Sequence, residues 1–448
     1  MMRAEARGRE AAGGEEGKVG EGRRRHAGPG AAPRRSALGS TLRAAAFAVA
    51  MAILASAGVA SAQPKRFREG EVAKPHTSRP PEVLLYTFAV GPVIFEKFGH
   101  SALCLDYHGE YDTVCFNYGV TDFGAGARLV WGFLRSKQKF WVEPVPLRNL
   151  VWFYAKKEDR SIWKQALPLT PEQVTAIEDH LWGDLDESRR YYYYDHFYDN
   201  CTTRLRDIID QATGGALKRD SGSVYPVTFR DLGRSGMSEF PPLLVFSDFL
   251  VGRDLDHNPD LWEAMFLPDI LREEVERRMG AKAEVVNLRK GPPFPTSGPS
   301  GRPWVVAFAL LFALPLALAR LAGRLERVAL GWALVPLVFF GVLIWSLIAL
   351  SSIPALRWNE VALLFVPTDL AIPFLSAPRR RWYARVRVGI VLLVSLLAAI
   401  GVFKQPLWVP ALVAFLPLAQ LAFDWPPRRA RVEDRSASGA ATASRSAA

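Results

Sequence analysis

The chain has 448 residues, 49% of them hydrophobic, and a formal charge of +11, but a mean hydropathy of +0.04 averages two unlike halves. Residues 63 to about 290 mix apolar, aromatic and charged residues as a water-exposed domain does, whereas 304 to 424 are dominated by Leu, Val, Ala, Phe and Pro. The basic residues cluster near the N-terminus and between apolar segments, with no nucleic-acid motif beside them, so the charge argues against a nucleic-acid partner and for membrane topology.

Residues 1–62 read as a disordered leader and a secretory signal: Arg43, an apolar run from Ala44 to Val59, then Ala60-Ser61-Ala62, with cleavage expected after Ala62. An uncleaved anchor is the alternative, and either exports the periplasmic domain expected over 63–290. Within it, 82–90, 100–107 and 111–118 have strand composition. If Gly109 and Glu110 are the loop of a hairpin, opposed residues have numbers summing to 219, which pairs Cys104 with Cys115 and Ala102 with Asn117. His100, Ala102, Cys104 and Asn117 then share a face. Cys104 and Cys115 can form a disulfide that leaves Cys201 alone; the alternative is three buried thiols.

Residues 130–155 are aromatic-rich and mixed, and Thr170-Pro171-Glu172-Gln173 opens a helix to about Leu185. Asp199 or Asn200 is a good N-cap, and Leu205, Ile208, Ile209 and Ala212 follow at helical spacing, so a helix should begin at or next to Cys201. A thiol in that first turn sees the positive end of the helix dipole and free N–H groups, which lower its pKa and can stabilise an oxyanion. A nucleophilic cysteine needs a base, and His100, at the start of a core strand after a glycine, is the candidate. His196 is a rival, equally readable as a surface residue. No close Cys/His spacing supports a metal, and thiol–imidazole chemistry needs no cofactor.

After a Gly-, Pro- and Ser-rich linker over 291–303 come five apolar stretches within 304–424: about 304–319, 328–350, 361–375, 386–403 and 407–423, read as about five transmembrane helices. The third carries Asp369, which costs ~3 kcal/mol or more at the bilayer centre unless paired or wet. Arg320, Arg324 and Arg327 follow the first span, Arg379 to Arg387 the third, and Arg428, Arg429 and Arg431 the fifth. Positive-inside therefore puts the first span's N-terminal end outside and the 425–448 tail, expected to be disordered, in the cytoplasm. Export by the signal gives the same topology.

Phe98-Gly99-His100-Ser101-Ala102, Asn117-Tyr118-Gly119, Asp122-Phe123, Tyr194 to Asp199, Asn200-Cys201-Thr202-Thr203-Arg204 and Met265-Phe266-Leu267-Pro268 together resemble the periplasmic domain of the Lnb-type bacterial lipoprotein N-acyltransferases, over roughly 82–275. The resemblance implies an α+β, circularly permuted papain-like (NlpC-type) fold, with Cys201 as nucleophile and His100 as base. Asn117 is the chosen third member, because the hairpin register puts it on the face of His100; Asp122 and Asp106 are alternatives. Ser101, Tyr118 and Arg204 are candidate substrate contacts, Arg204 facing either a lipid phosphate or a structural salt bridge. The implied reaction moves an acyl chain from a phospholipid donor at the bacterial inner membrane to the N-terminal amine of a lipoprotein. A membrane-tethered cysteine peptidase acting on cell-wall peptides is the first rival, and a non-enzymatic envelope protein the second.

Overall fold

The structure is a computed structural model that describes residues 73–91, 96–236, 241–294 and 302–427. The leader, the signal, most of the linker and nearly all of the tail fall outside these residues. Seven strands, β1 (Glu82–Phe88), β2 (His100–Asp106), β3 (Val114–Val120), β4 (Lys139–Pro146), β5 (Ile162–Ala166), β6 (Tyr191–Tyr193) and β7 (Glu284–Asn287), form one antiparallel sheet in the order β6-β4-β3-β2-β1-β5-β7. Cys104 lies opposite Cys115 and Leu103 opposite Phe116, in the expected register, and Cys104 and Cys115 are joined by a disulfide. The hairpin loop spans 107–113 rather than two residues.

The helices of this part are α1 (Ala127–Leu134), α2 (Leu147–Trp152), α3 (Pro171–Gly183), α4 (Cys201–Ala212), α5 (Phe229–Gly236), α6 (Pro241–Leu250), α7 (Leu261–Ala264) and α8 (Pro268–Met279). Both sheet faces are covered, so the strands carry apolar residues on both sides. Leu103, Leu105 and Phe116 pack with Ile177 and Leu181 of α3 and with Leu205 and Ile209 of α4. Ala102, Cys104 and Phe88 pack on the other side with Leu150, Phe153 and Tyr154.

Among the described residues three helices are long and apolar enough to cross a membrane: α9 (Arg302–Ala322), α10 (Glu326–Leu350) and, after the short α11 (Pro354–Arg357), α12 (Ala377–Ala399). A shorter apolar helix, α13 (Trp408–Phe423), follows. Of the about five expected spanning helices three have that length; the fifth stretch forms the shorter α13, and the third forms two 3-10 segments, Glu360–Leu363 and Pro367–Phe374. Pro367 and Pro373 each remove a backbone donor, which disfavours a regular α-helix there. The segment still runs the length of the bundle. At one end Glu360 Oε2 accepts the Lys404 and Gln405 N–H groups at 3.0 and 2.9 Å. Further along, Trp345 Nε1 of α10 donates to the carbonyls of Ala362 and Phe365. At the opposite end Arg381, just beyond the segment, reaches Asp424 at 2.8 Å, near Arg320 and Glu326.

Asp369, fully buried midway, accepts from Arg387 Nε and Nη2 at 2.9 and 3.1 Å and from Tyr383 Oη at 2.8 Å. The intramembrane carboxylate is thus paired and hydrogen-bonded, as its cost demands. One helix of the expected periplasmic stretch also joins the bundle. In α6, Phe249 meets the rings of Phe340 and Phe365, and Asn359 Nδ2 donates to the Phe249 and Leu250 carbonyls, both at 2.9 Å.

Candidate active site

Asn200 builds the site. Its Oδ1 accepts the N–H groups of Thr202 and Thr203 at 2.8 and 2.9 Å, while its Nδ2 donates to the carbonyls of His196 and Phe266 at 2.8 and 3.0 Å. The Thr203 hydroxyl takes the Asn200 N–H at 2.8 Å, closing a capping box. Cys201 is therefore the first helical residue of α4, as the cap pattern predicts, and it is the free cysteine of the chain. Thr202 and Thr203 have given their N–H groups to the cap, so the Cys201 N–H is the first-turn donor that the cap leaves over.

The thiol lies in a cavity of about 90 Å³ lined by His100, Asn117, Gly119, Tyr154, Tyr194, His196, Phe98, Phe123, Phe140 and Phe266, among others. His100 Nε2 and Asn117 Oδ1 are 2.6 Å apart. An amide oxygen only accepts, so Nε2 carries the proton and Nδ1 keeps its lone pair. Asp122 Oδ1 instead takes the Gly124 N–H and Asp106 Oδ1 the His108 N–H, so neither orients the imidazole. The imidazole rests on Phe88 and Tyr154, with centroids at 5.9 Å for both, and the buried Arg160 guanidinium lies over Tyr154 at 4.5 Å.

Burial, with the Arg160 charge, lowers the His100 pKa to about 4. Burial also pushes the Cys201 thiol above its ordinary value, although the Thr202 hydroxyl and the N–H groups of Ser101, Thr202 and Cys201 pull it down. The expected lowering by the helix start is thus outweighed, and at neutral pH the pair is thiol and neutral imidazole.

Of the three candidate substrate contacts, only Tyr118 lines the cavity. Arg204 binds Asp199 with Nε and Nη2 at 2.7 and 2.9 Å and stacks on Tyr192 at 3.7 Å, so of its two readings the geometry gives the structural salt bridge. Ser101 is fully buried, and it is its N–H that faces the thiol. Tyr118 touches the cavity, but its hydroxyl donates to Asp184 at 2.7 Å. His196, read as a possible surface residue, lines the cavity between Phe98 and Phe266, and burial lowers its pKa to about 4.

Two glycines that the composition leaves silent shape the wall. A Cβ on Gly99, at φ +81°, would sit 2.8 Å from the Phe88 carbonyl oxygen. On Gly119, at φ +88° within the β3–β4 irregularity, it would lie 3.6 Å from the Cys201 Cβ. A glycine inside a strand pattern is the signal that finds such a close approach.

Fold and site define a membrane protein whose α+β domain encloses a cysteine at a helix start beside a histidine–asparagine pair. Residues 76–235 match the model of the Lnb N-terminal periplasmic domain, and the chain is a membrane protein with a periplasmic domain. The match takes in His100, Asn117 and Cys201 and ends before α6. No curated protein and no solved structure matches the chain.

Proposed function

We propose that this protein is a thiol-dependent N-acyltransferase that moves an acyl chain from a phospholipid to the N-terminal cysteine amine of lipoproteins. The observation that carries the reading is Cys201 at the capped start of α4 in an aromatic cavity shared with a neutral, Asn117-held His100. As the sulfur attacks the ester carbonyl, its proton passes to His100 Nδ1, and the oxyanion meets the Cys201 N–H. Collapse forms the Cys201 thioester, and His100 returns the proton to the leaving alcohol. The lipoprotein amine then attacks the thioester, His100 takes its proton, and the amide forms as the thiol is restored. Asn117 fixes the tautomer this sequence requires.

The histidine strand precedes the cysteine helix in the chain, the order of a circularly permuted papain-like, NlpC-type fold. The cavity of about 90 Å³ at the thiol has room for several water-sized groups at ~10–15 Å³ each, enough for a reacting ester. The apolar helices keep the site beside bilayer substrates, with the C-terminus in the cytoplasm by the positive-inside rule. The test is mass spectrometry of lipoprotein N-termini in cells without their own N-acyltransferase, expressing the wild type or Cys201→Ala. An N-acyl chain added by the wild type alone supports the reading. A free amine with expressed, inserted wild type refutes it and leaves the peptidase as the leading reading.

A further inference from the structure

A second cavity, separate from the one at Cys201, lies where the periplasmic part meets the bundle. Its walls are Asp195, Phe197 and Tyr198, then Arg253 to Leu255 with His257, and the bundle residues Ile353 to Ala355 and Lys404. Its height is fixed by covalent neighbours: Ile353 follows the C-terminal end of α10, and Lys404 joins α12 to α13. Both lie at the bundle end that carries the periplasmic domain, the level of lipid headgroups. The wall is firmly built, since the Gly252 and Arg253 N–H groups donate to the Ala355 and Trp358 carbonyls at 2.6 and 2.7 Å.

The cavity lining carries charges of both signs. The Lys404 side chain is exposed, and its ammonium has no ion-pair partner among the described residues. Arg253, 47% exposed at its side chain, stands 3.5 Å from Glu360. Besides the Glu360 that Arg253 pairs with, two carboxylates line the cavity against these cations. Asp195 has one oxygen taken by the Phe197 and Tyr198 N–H groups, and Asp254 has no side-chain partner among the described residues. His257 donates from Nδ1 to the Asp254 carbonyl at 2.6 Å, which leaves Nε2 as an acceptor. Two cations suit a phosphate; two carboxylates and a ring nitrogen suit an ammonium with N–H groups to give. A bare phosphate or an anionic lipid would leave the carboxylates facing like charge, and a quaternary ammonium has no proton for Nε2.

We propose that this cavity binds the zwitterionic headgroup of an aminophospholipid, phosphate toward Lys404 and Arg253 and ammonium toward Asp254, Asp195 and His257. The site rests on reading the helices as membrane-spanning and is independent of acyl transfer at Cys201. The test uses the full chain, delipidated in detergent and exposed to an equimolar mixture of phosphatidylethanolamine, phosphatidylglycerol and phosphatidylcholine, with retained lipid read by native mass spectrometry. Phosphatidylethanolamine should be retained at least about fivefold over the other two, equally in wild type and in Cys201→Ala. Lys404→Glu and Asp254→Lys should each remove the preference. Both positions lie away from Cys201, so an unchanged thiol-labelling rate there certifies folded variants. Equal retention of the three lipids, or an undiminished preference in both folded variants, overturns the proposal. Soluble glycerophosphoethanolamine separates the sources: failure to displace the lipid supports a membrane ligand, and full displacement at equal concentration overturns it in favour of a free headgroup.

Discussion

Asparagine and aspartate are nearly equivalent at an ordinary helix N-cap, because the cap needs only an oxygen that accepts. At position 200 they should differ sharply. The Asn200 Oδ1 serves the cap, but Nδ2 serves two carbonyls, those of His196 and Phe266, at 2.8 and 3.0 Å in a residue only 3% exposed. Asn200→Asp keeps the acceptor and turns the donor into an oxygen facing two oxygens. Each stranded carbonyl costs ~1–3 kcal/mol, and a carboxylate at the helix start returns at most ~1, leaving a net loss of about 3 kcal/mol. The loss can be read at Cys201 itself, since the other two cysteines form the disulfide. Under conditions where reclosing outpaces reaction, the labelling rate of a buried thiol follows the local opening equilibrium, and about 3 kcal/mol is roughly a hundredfold. Asn200→Asp in the full-length protein should label about a hundredfold faster than wild type, and Asn200→Ala, which also loses the cap, faster still. An aspartate variant within twofold of wild type would refute the assignment of Nδ2 to those carbonyls.

Acid should destabilise the fold before most carboxylates titrate. His100 and His196 are both held at about 4, so between the ordinary value near 6.5 and that point the unfolded chain binds protons the folded chain does not. Stability is full above about pH 6.5 and falls as pH drops toward 4, by up to about 2–3 kcal/mol for each ring; melting midpoints from pH 7.5 to 5 should decline, and less so in His196→Gln, whereas a flat profile contradicts burial of the rings. In the bundle, Arg387→Met should cost about 3–5 kcal/mol by stranding Asp369, while Arg387→Met with Asp369→Leu should recover most of it. Thermal melts in detergent check this, and a double variant as unstable as the single one would show that the pair does more than neutralise itself.

The residues of the candidate site were legible for a specific physical reason. A hairpin register is periodic in two residues, so one assumption about the turn put Asn117 on the face of His100 and Cys104 opposite Cys115. Cap chemistry likewise located the start of α4. What local pattern does not encode is enclosure. The thiol pKa follows burial more than the helix start, and His196 looked polar from its Tyr and Asp neighbours although its ring lies between Phe98 and Phe266. Hydropathy saw apolar residues at 361–375 but not the tertiary partners, Trp345 and Arg387, that let a chain without a regular α-helix pass there. Nor did it assign α6 to the bundle, since ten residues are too few to register as a span.

The lodging of α6 among the membrane helices bears on how the protein meets its surroundings. A domain held only by a linker sweeps a volume and samples many heights above the bilayer. Here Asn359 and Gln405 hold the carbonyls from Phe249 to Val251, and Ser351 at the end of α10 holds that of Leu134 at the end of α1. The thiol is thereby set at one altitude and one azimuth. In the proposed acyl transfer a substrate must present its reacting bond at that level of the membrane boundary, so depth in the bilayer would act as a selection criterion that no side chain in the cavity has to impose.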